Sequence, residues 1–174
     1  MTTETRTATI RAAGEGEQRW FCGGGIFTWK ATAEETAGAM LMFEDQLEGG
    51  KVTPLHRHPE ADETFYMLDG EIRLVIDGTE SLLGAGGIAV IPRLVPHAYQ
   101  VTTPRARMLC VQTPGSGEAF YRHASDPLGE SDRVVDFARV GAAAQETGAI
   151  EILGPPPFAP PTAGGAQTPA RRRP

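Results

Sequence analysis

The spacing of four side chains constrains this chain more than any other feature. His56, His58 and Glu63 lie within GKVTPLHRHPEADETFYMLDG, and His97 lies within GGIAVIPRLVPHAYQV. Only four histidines occur in 174 residues, and three of them belong to this set. On a β-strand successive side chains alternate faces, so His56 and His58 point one way and Arg57 the other. A bend over Pro59, Glu60, Ala61 and Asp62 then reverses the chain, and Glu63 opens the next strand where it adds an oxygen ligand. His97 arrives from a later strand. The set therefore predicts a metal site, and a fold in which separate strands converge on it.

Imidazole nitrogens with one carboxylate suit a single divalent transition metal ion, whether Fe, Mn, Ni, Co, Cu or Zn, and affinity order does not choose among them. Four protein ligands close a tetrahedral zinc site. A six-coordinate ion keeps roughly two positions for water, dioxygen or a chelating substrate, which favours catalysis. Glu63 has two roles open to it as the catalytic residue: it stays a ligand, or it takes a substrate hydroxyl proton.

Short runs punctuated by turn residues read as strands over 39–47, 52–58, 63–68, 71–76, 87–91, 97–102 and 107–112. Asp69-Gly70 and Asp77-Gly78 have hairpin-turn chemistry, because glycine accepts positive φ. Many short strands closed by turns predict an all-β barrel or sandwich. Helix is expected only late, over 118–124 and 133–145, the second with Val134, Phe137, Ala138 and Gly141 on its apolar face. Strand alternation also predicts an apolar chamber. Phe65 and Met67 share the face of Glu63, Tyr99 and Val101 that of His97, and Leu41 with Phe43, or else Met40 with Met42, add to the wall.

At these residues the chain resembles the cupin superfamily. Its first motif, Gly50, five residues, His56, one residue, His58, four residues, Glu63, six residues, Gly70, is met throughout. The second is met in part: Gly86, five residues, Pro92, then His97, with Leu94 in place of the usual glycine and Val101 in place of the usual asparagine. The turn before His97 is where the departure bears. The resemblance implies a cupin fold, a double-stranded β-helix or jelly-roll barrel, with short C-terminal helices. From about Trp20 to Pro157 the chain is similar to small single-domain cupins resembling quercetin 2,3-dioxygenase. WFCGGGIFTWKATAEETAGA looks like their opening strand and loop, and GEAFYRHASDPLGE and EILGPPP look like their helical C-terminal extension.

The resemblance implies a metal-dependent dioxygenase that cleaves an enol or hydroxyl-bearing aromatic or polyketide-like small molecule, with dioxygen as co-substrate. Fold alone does not give function. Two alternatives share the ligands: a non-oxidative Lewis-acid isomerase, cyclase or dehydratase, and a small-molecule-binding cupin without turnover. A homodimer is expected by resemblance and by the need to cover sheet edges.

Domain organisation is expected to be a flexible segment over 1–18, one cupin domain over 19–157 with its barrel at about 39–113 and a helical extension over 117–153, and a Pro/Gly/Arg-rich disordered tail over 158–174. A net charge of −6 argues against nucleic acid or an acidic membrane as partner. The N-terminus has no signal-peptide core and no run approaches the ~20 apolar residues of a membrane helix, so a cytoplasmic protein is expected. Cys22 and Cys110 suggest no disulfide framework. The Gly23–Gly25 run lacks the lysine and helix start of a phosphate cradle and reads as a bend. His123 reads as a surface or packing residue.

Overall fold

The computed structural model describes residues 8–158. The expected tail lies outside the described residues from 159 on, as does the N-terminal segment before residue 8. The strands are β1 (Gln18–Phe21), β2 (Ile26–Ala31), β3 (Leu41–Glu48), β4 (Leu55–Arg57), β5 (Asp62–Asp69), β6 (Glu71–Ile76), β7 (Thr79–Gly84), β8 (Ile88–Ile91), β9 (His97–Val101), β10 (Arg105–Thr113), β11 (Ser125–Pro127) and β12 (Glu151–Gly154). Two helices, α1 (Glu118–His123) and α2 (Phe137–Thr147), interrupt the last strands. Among the described residues no helix is long and apolar enough to cross a membrane.

The strands form two antiparallel sheets, ordered β11-β1-β2-β3-β10-β5-β8 and β12-β4-β9-β6-β7. Period-two burial explains their facing. Leu41, Phe43, Asp45 and Leu47 of β3 are buried while Met42 and Glu44 are only partly so, which selects Leu41 with Phe43 over Met40 with Met42 as the inward pair. Phe27, Trp29 and Phe43 meet Tyr121 of α1 with ring centroids 4.6–6.3 Å apart, in mostly edge-on or tilted pairs. Each such ring buries roughly 150–250 Å² and anchors α1 across one end of the barrel.

The turn chemistry has two outcomes. Asp77 and Gly78 take φ of 48° and 75° and join the paired strands β6 and β7, a two-residue hairpin with both residues left-handed. Asp69-Gly70 is not a hairpin turn, because β5 pairs with β10 and β8 while β6 lies in the other sheet. It is the corner where the chain changes sheet. Gly70 is required there twice over: its φ is 74°, and a Cβ would stand 2.3 Å from the Arg105 carbonyl oxygen.

Several boundaries differ from expectation. The strand expected over 52–58 is regular only at Leu55–Arg57, with Val52 making one isolated bridge to Gln100, because Pro54 has no N–H to continue the ladder. β7 falls outside the expected strands, since its side chains are mostly exposed and show no apolar alternation. The extension expected to be helical contains two strands: β11 pairs with β1, and β12, from the EILG segment, pairs with β4. The helix expected over 133–145 begins at Phe137, where the Asp136 side chain caps the Arg139 N–H. Its buried residues are Val140, Ala143 and Ala144, whereas Val134, Val135 and Phe137 are about half exposed and Ala138 is exposed. The expected apolar face was thus rotated by one residue, because residues 134 and 135 precede the cap and carry no helical phase.

Candidate metal centre

His56 sits in β4, His58 directly after it, Glu63 in β5 and His97 at the start of β9. Register brings them together: His56 is opposite His97 across the β4–β9 pair, and Gln112 of β10 is opposite Glu63. One donor atom from each of the four lies within 4.8 Å of the others, and all four residues are buried. The site therefore spans both sheets, and its ligands depend on the fold as a whole.

The hydrogen bonds orient each ligand. His56 and His97 direct Nδ1 at the Pro54 and Val95 carbonyl oxygens, 2.9 and 3.0 Å away, which leaves Nε2 to face the centre. Glu63 Oε2 lies 3.0 Å from His97 Nε2 and 3.2 Å from His58 Nε2. The other carboxylate oxygen, Oε1, accepts from Cys110 Sγ at 3.2 Å and from Gln112 Nε2 at 3.1 Å. Gln112 Nε2 also donates to the Tyr121 hydroxyl at 3.2 Å.

The donor set fits a metal on one further observation. His58 Nε2 is buried and has no hydrogen-bond partner among the described residues, although it lies beside Glu63 Oε2. An orphaned buried polar atom costs about 1–3 kcal/mol, and a cation held between nitrogen and oxygen removes that cost. The electrostatics agree. Burial, reinforced by the His97 and His58 rings, pushes His56 down to about 3, so it is neutral and ready to coordinate across the physiological range. Burial opposes ionisation of Glu63, but the flanking His58 and His97 outweigh it and hold the carboxyl well below its ordinary value. Burial likewise opposes charging of His58, and Glu63 overcomes it and raises that histidine.

A cavity of about 70 Å³ adjoins the cluster, with His56 and Glu63 on its wall. Through Val52, Pro54, Phe137, Val140 and Ile152 it shares its lining with an outer groove of about 350 Å³. The inner space exceeds that of a single water, and a polycyclic ligand must extend into the groove. Of the six wall residues expected from alternation, Phe43, Phe65 and Tyr99 line the cavity. Leu41, Met67 and Val101 do not line it; they are packed in the core at 0%, 0% and 2% exposure. They share the inward face, as alternation requires, but lie at other levels of the barrel, which strand period cannot specify.

Sequence reasoning missed Asp45, Lys51, Cys110, Gln112 and Tyr121. A signal for two of them was present: Asp45 and Gln112 are polar residues on otherwise apolar inward faces, at 7% and 0% exposure. Cys22 and Cys110 are both buried and unpaired. His123 is far from the site in role, pairing with Glu146 at 3.2 Å on the surface. Leu94, in place of the usual motif glycine, adopts φ of 68°, so the turn keeps its left-handed form despite the side chain. Its N–H donates to the His58 carbonyl at 2.8 Å, which ties that turn to the ligand strand.

Comparison with known proteins agrees with this geometry. The Cupin domain family matches residues 43–112. Over 144 residues the chain is 33% identical to quercetin 2,3-dioxygenase of Bacillus subtilis, an alignment covering 76% of this chain and 42% of the relative's length. Two solved structures share the fold: a predicted oxalate decarboxylase from Thermotoga maritima, 19% identical, TM-score 0.56, covering 62% of this chain and 99% of that one, and an RmlC-like cupin from Shewanella frigidimarina, 18% identical, TM-score 0.55, covering 62% and 92%. With the two sheets and the buried ligand cluster at their junction, these matches show that the chain carries a cupin domain with the cupin fold.

Proposed function

We propose that the protein is a metal-dependent dioxygenase of the quercetinase-like kind, cleaving an enol or hydroxyl-bearing aromatic or polyketide-like small molecule. The observation that carries this reading is the placement of the ligand cluster on the wall of an aromatic-lined cavity, in a chain 33% identical to a quercetin 2,3-dioxygenase. His56, His58, Glu63 and His97 would hold the ion, which supplies Lewis acidity towards a substrate oxygen and a place for dioxygen. Phe43, Phe65 and Tyr99 orient the substrate ring.

The residues divide the proton work. Glu63 sets one oxygen beside the ligand nitrogens of His58 and His97 and accepts from Cys110 and Gln112 on the other, and its carboxyl lies well below its ordinary value, which suits a ligand and makes it a poor proton acceptor. Asp45 lines the same cavity, its side chain makes no hydrogen bond among the described residues, and burial pushes it up to about 6. A carboxylate with that affinity for a proton suits general-base removal of the substrate hydroxyl proton. Tyr99 and Tyr121, both driven well above 10 by burial, stay protonated. Exposed Leu82, Ile88 and Val90 near the outer edges of the two sheets support a homodimer.

Metal analysis of protein purified without added metal, followed by oxygen-electrode assays on flavonols and related enols, tests the reading. Oxygen consumption matched to substrate loss is the expected result. Turnover that is unchanged under strict anaerobiosis, with zinc as effective as iron, manganese or nickel, sinks it in favour of non-oxidative Lewis-acid chemistry.

A further inference from the structure

Lys51 has no role in the ligand cluster, yet it lines the cavity beside it. Its Nζ lies 5.3 Å from the Phe21 ring centroid and 5.8 Å from that of Tyr99, both also on the cavity wall. Among the described residues no carboxylate oxygen comes within 4.0 Å of Nζ and no side-chain hydrogen bond to it is formed. Asp45, on the same wall, acts on it only at longer range. The triple-glycine bend makes room for the ammonium: Gly25 has φ of 107°, and a Cβ there would stand 3.2 Å from Nζ.

A cation set among aromatic rings is partly offset by their negative faces, but this half-buried one has no anion within ion-pair distance among the described residues. Burial accordingly lowers the Lys51 ammonium, with Asp45 only partly opposing it. Once the cluster holds its cation, the cavity would have two positive poles, the metal site and Lys51, with aromatic rings and the Asp45 carboxyl sharing its wall. We propose that Lys51 is the anion-recognising residue of this cavity, and that the molecule bound there is an aromatic compound whose anionic oxygen group, a carboxylate or enolate, pairs with its ammonium. This rests on the reading that the cavity is the substrate site, and it adds the substrate's charge.

Calorimetric titration of the zinc-loaded protein with 4-hydroxybenzoate and with 4-hydroxybenzamide tests it without turnover. The two probes differ in charge but hardly in shape. The expected result is a preference of at least about tenfold for the carboxylate, the size of a charge-assisted hydrogen bond. That preference falls several-fold in Lys51→Met, which keeps the aliphatic stem, and is kept in Lys51→Arg. Equal affinity for the two probes in the parent protein, binding of neither, or a preference untouched by Lys51→Met overturns the inference. Because zinc replaces any redox metal and only binding is read, a failed dioxygenase assay leaves this result standing, and the reverse also holds.

Discussion

Gln112 is the side chain whose replacement most sharply separates positioning of the metal ligands from stability of the barrel. It is fully buried; its Nε2 donates to Glu63 Oε1 at 3.1 Å and to the Tyr121 hydroxyl at 3.2 Å, while its Oε1 has no partner. In Gln112→Leu, loss of a hydrogen bond to a carboxylate removes about 1.5–3 kcal/mol and loss of the one to the Tyr121 hydroxyl about 0.5–1.5 kcal/mol, while deleting the orphaned oxygen returns about 1–3 kcal/mol. Those terms largely offset one another, so the metal-free variant should melt only a few degrees below the parent. Metal binding has no such offset. Glu63 keeps only the weak Cys110 thiol donor on Oε1, and loss of a buttressing donor of this kind typically weakens a metal site about 10–100-fold. Competition with a chromophoric chelator, using zinc and cobalt, measures that loss, and thermal melting of the metal-free proteins measures the other half. A Gln112→Leu protein that binds zinc within about threefold of the parent would refute the assignment of Gln112 as the residue that positions Glu63.

Three further outcomes are expected. Leu94 occupies a left-handed conformation that costs a non-glycine residue about 1–2 kcal/mol, so Leu94→Gly, after glycine's own entropic penalty of about 0.5–1 kcal/mol, should stabilise slightly and raise the melting temperature by a few degrees; a lower one contradicts the strain. In the metal-free protein Glu63, outweighing burial, raises the proton affinity of His58 above its ordinary value, so metal affinity should fall as pH drops through the folded-state value, with that proton released on binding. Titration in buffers of different ionisation enthalpy counts that proton, and a count of zero rules it out. Asp45, raised to about 6, favours folding below its ordinary value of 3.8 and loses that contribution as pH rises through 6. Asp45→Asn should therefore gain on the order of 3 kcal/mol at pH 8 and nothing below about pH 4, while turnover falls about 10²–10⁴-fold if Asp45 is the base; urea unfolding at both pH values and steady-state kinetics read the two effects.

Features under local control are legible in the order of residues alone. The His56–His58 pair, the position of Glu63 after a bend, the Asp77-Gly78 hairpin and the inward stripe of β3 all follow from two-residue alternation and from glycine's tolerance of positive φ. The four ligands could be named for the same reason, since their residue types are rare and their spacing is short-range within each motif. Tertiary structure decided everything that depends on which strand lies beside which. Asp69-Gly70 has the same chemistry as Asp77-Gly78, yet it turns a corner between sheets, because pairing partners and not turn residues settle that difference. Leu41, Met67 and Val101 point inward as alternation demands but fill the core, whereas Asp45, Lys51, Cys110 and Tyr121 arrive at the cavity from distant positions in the chain. Depth along a barrel is set by strand register and shear, quantities that no window of neighbouring residues contains.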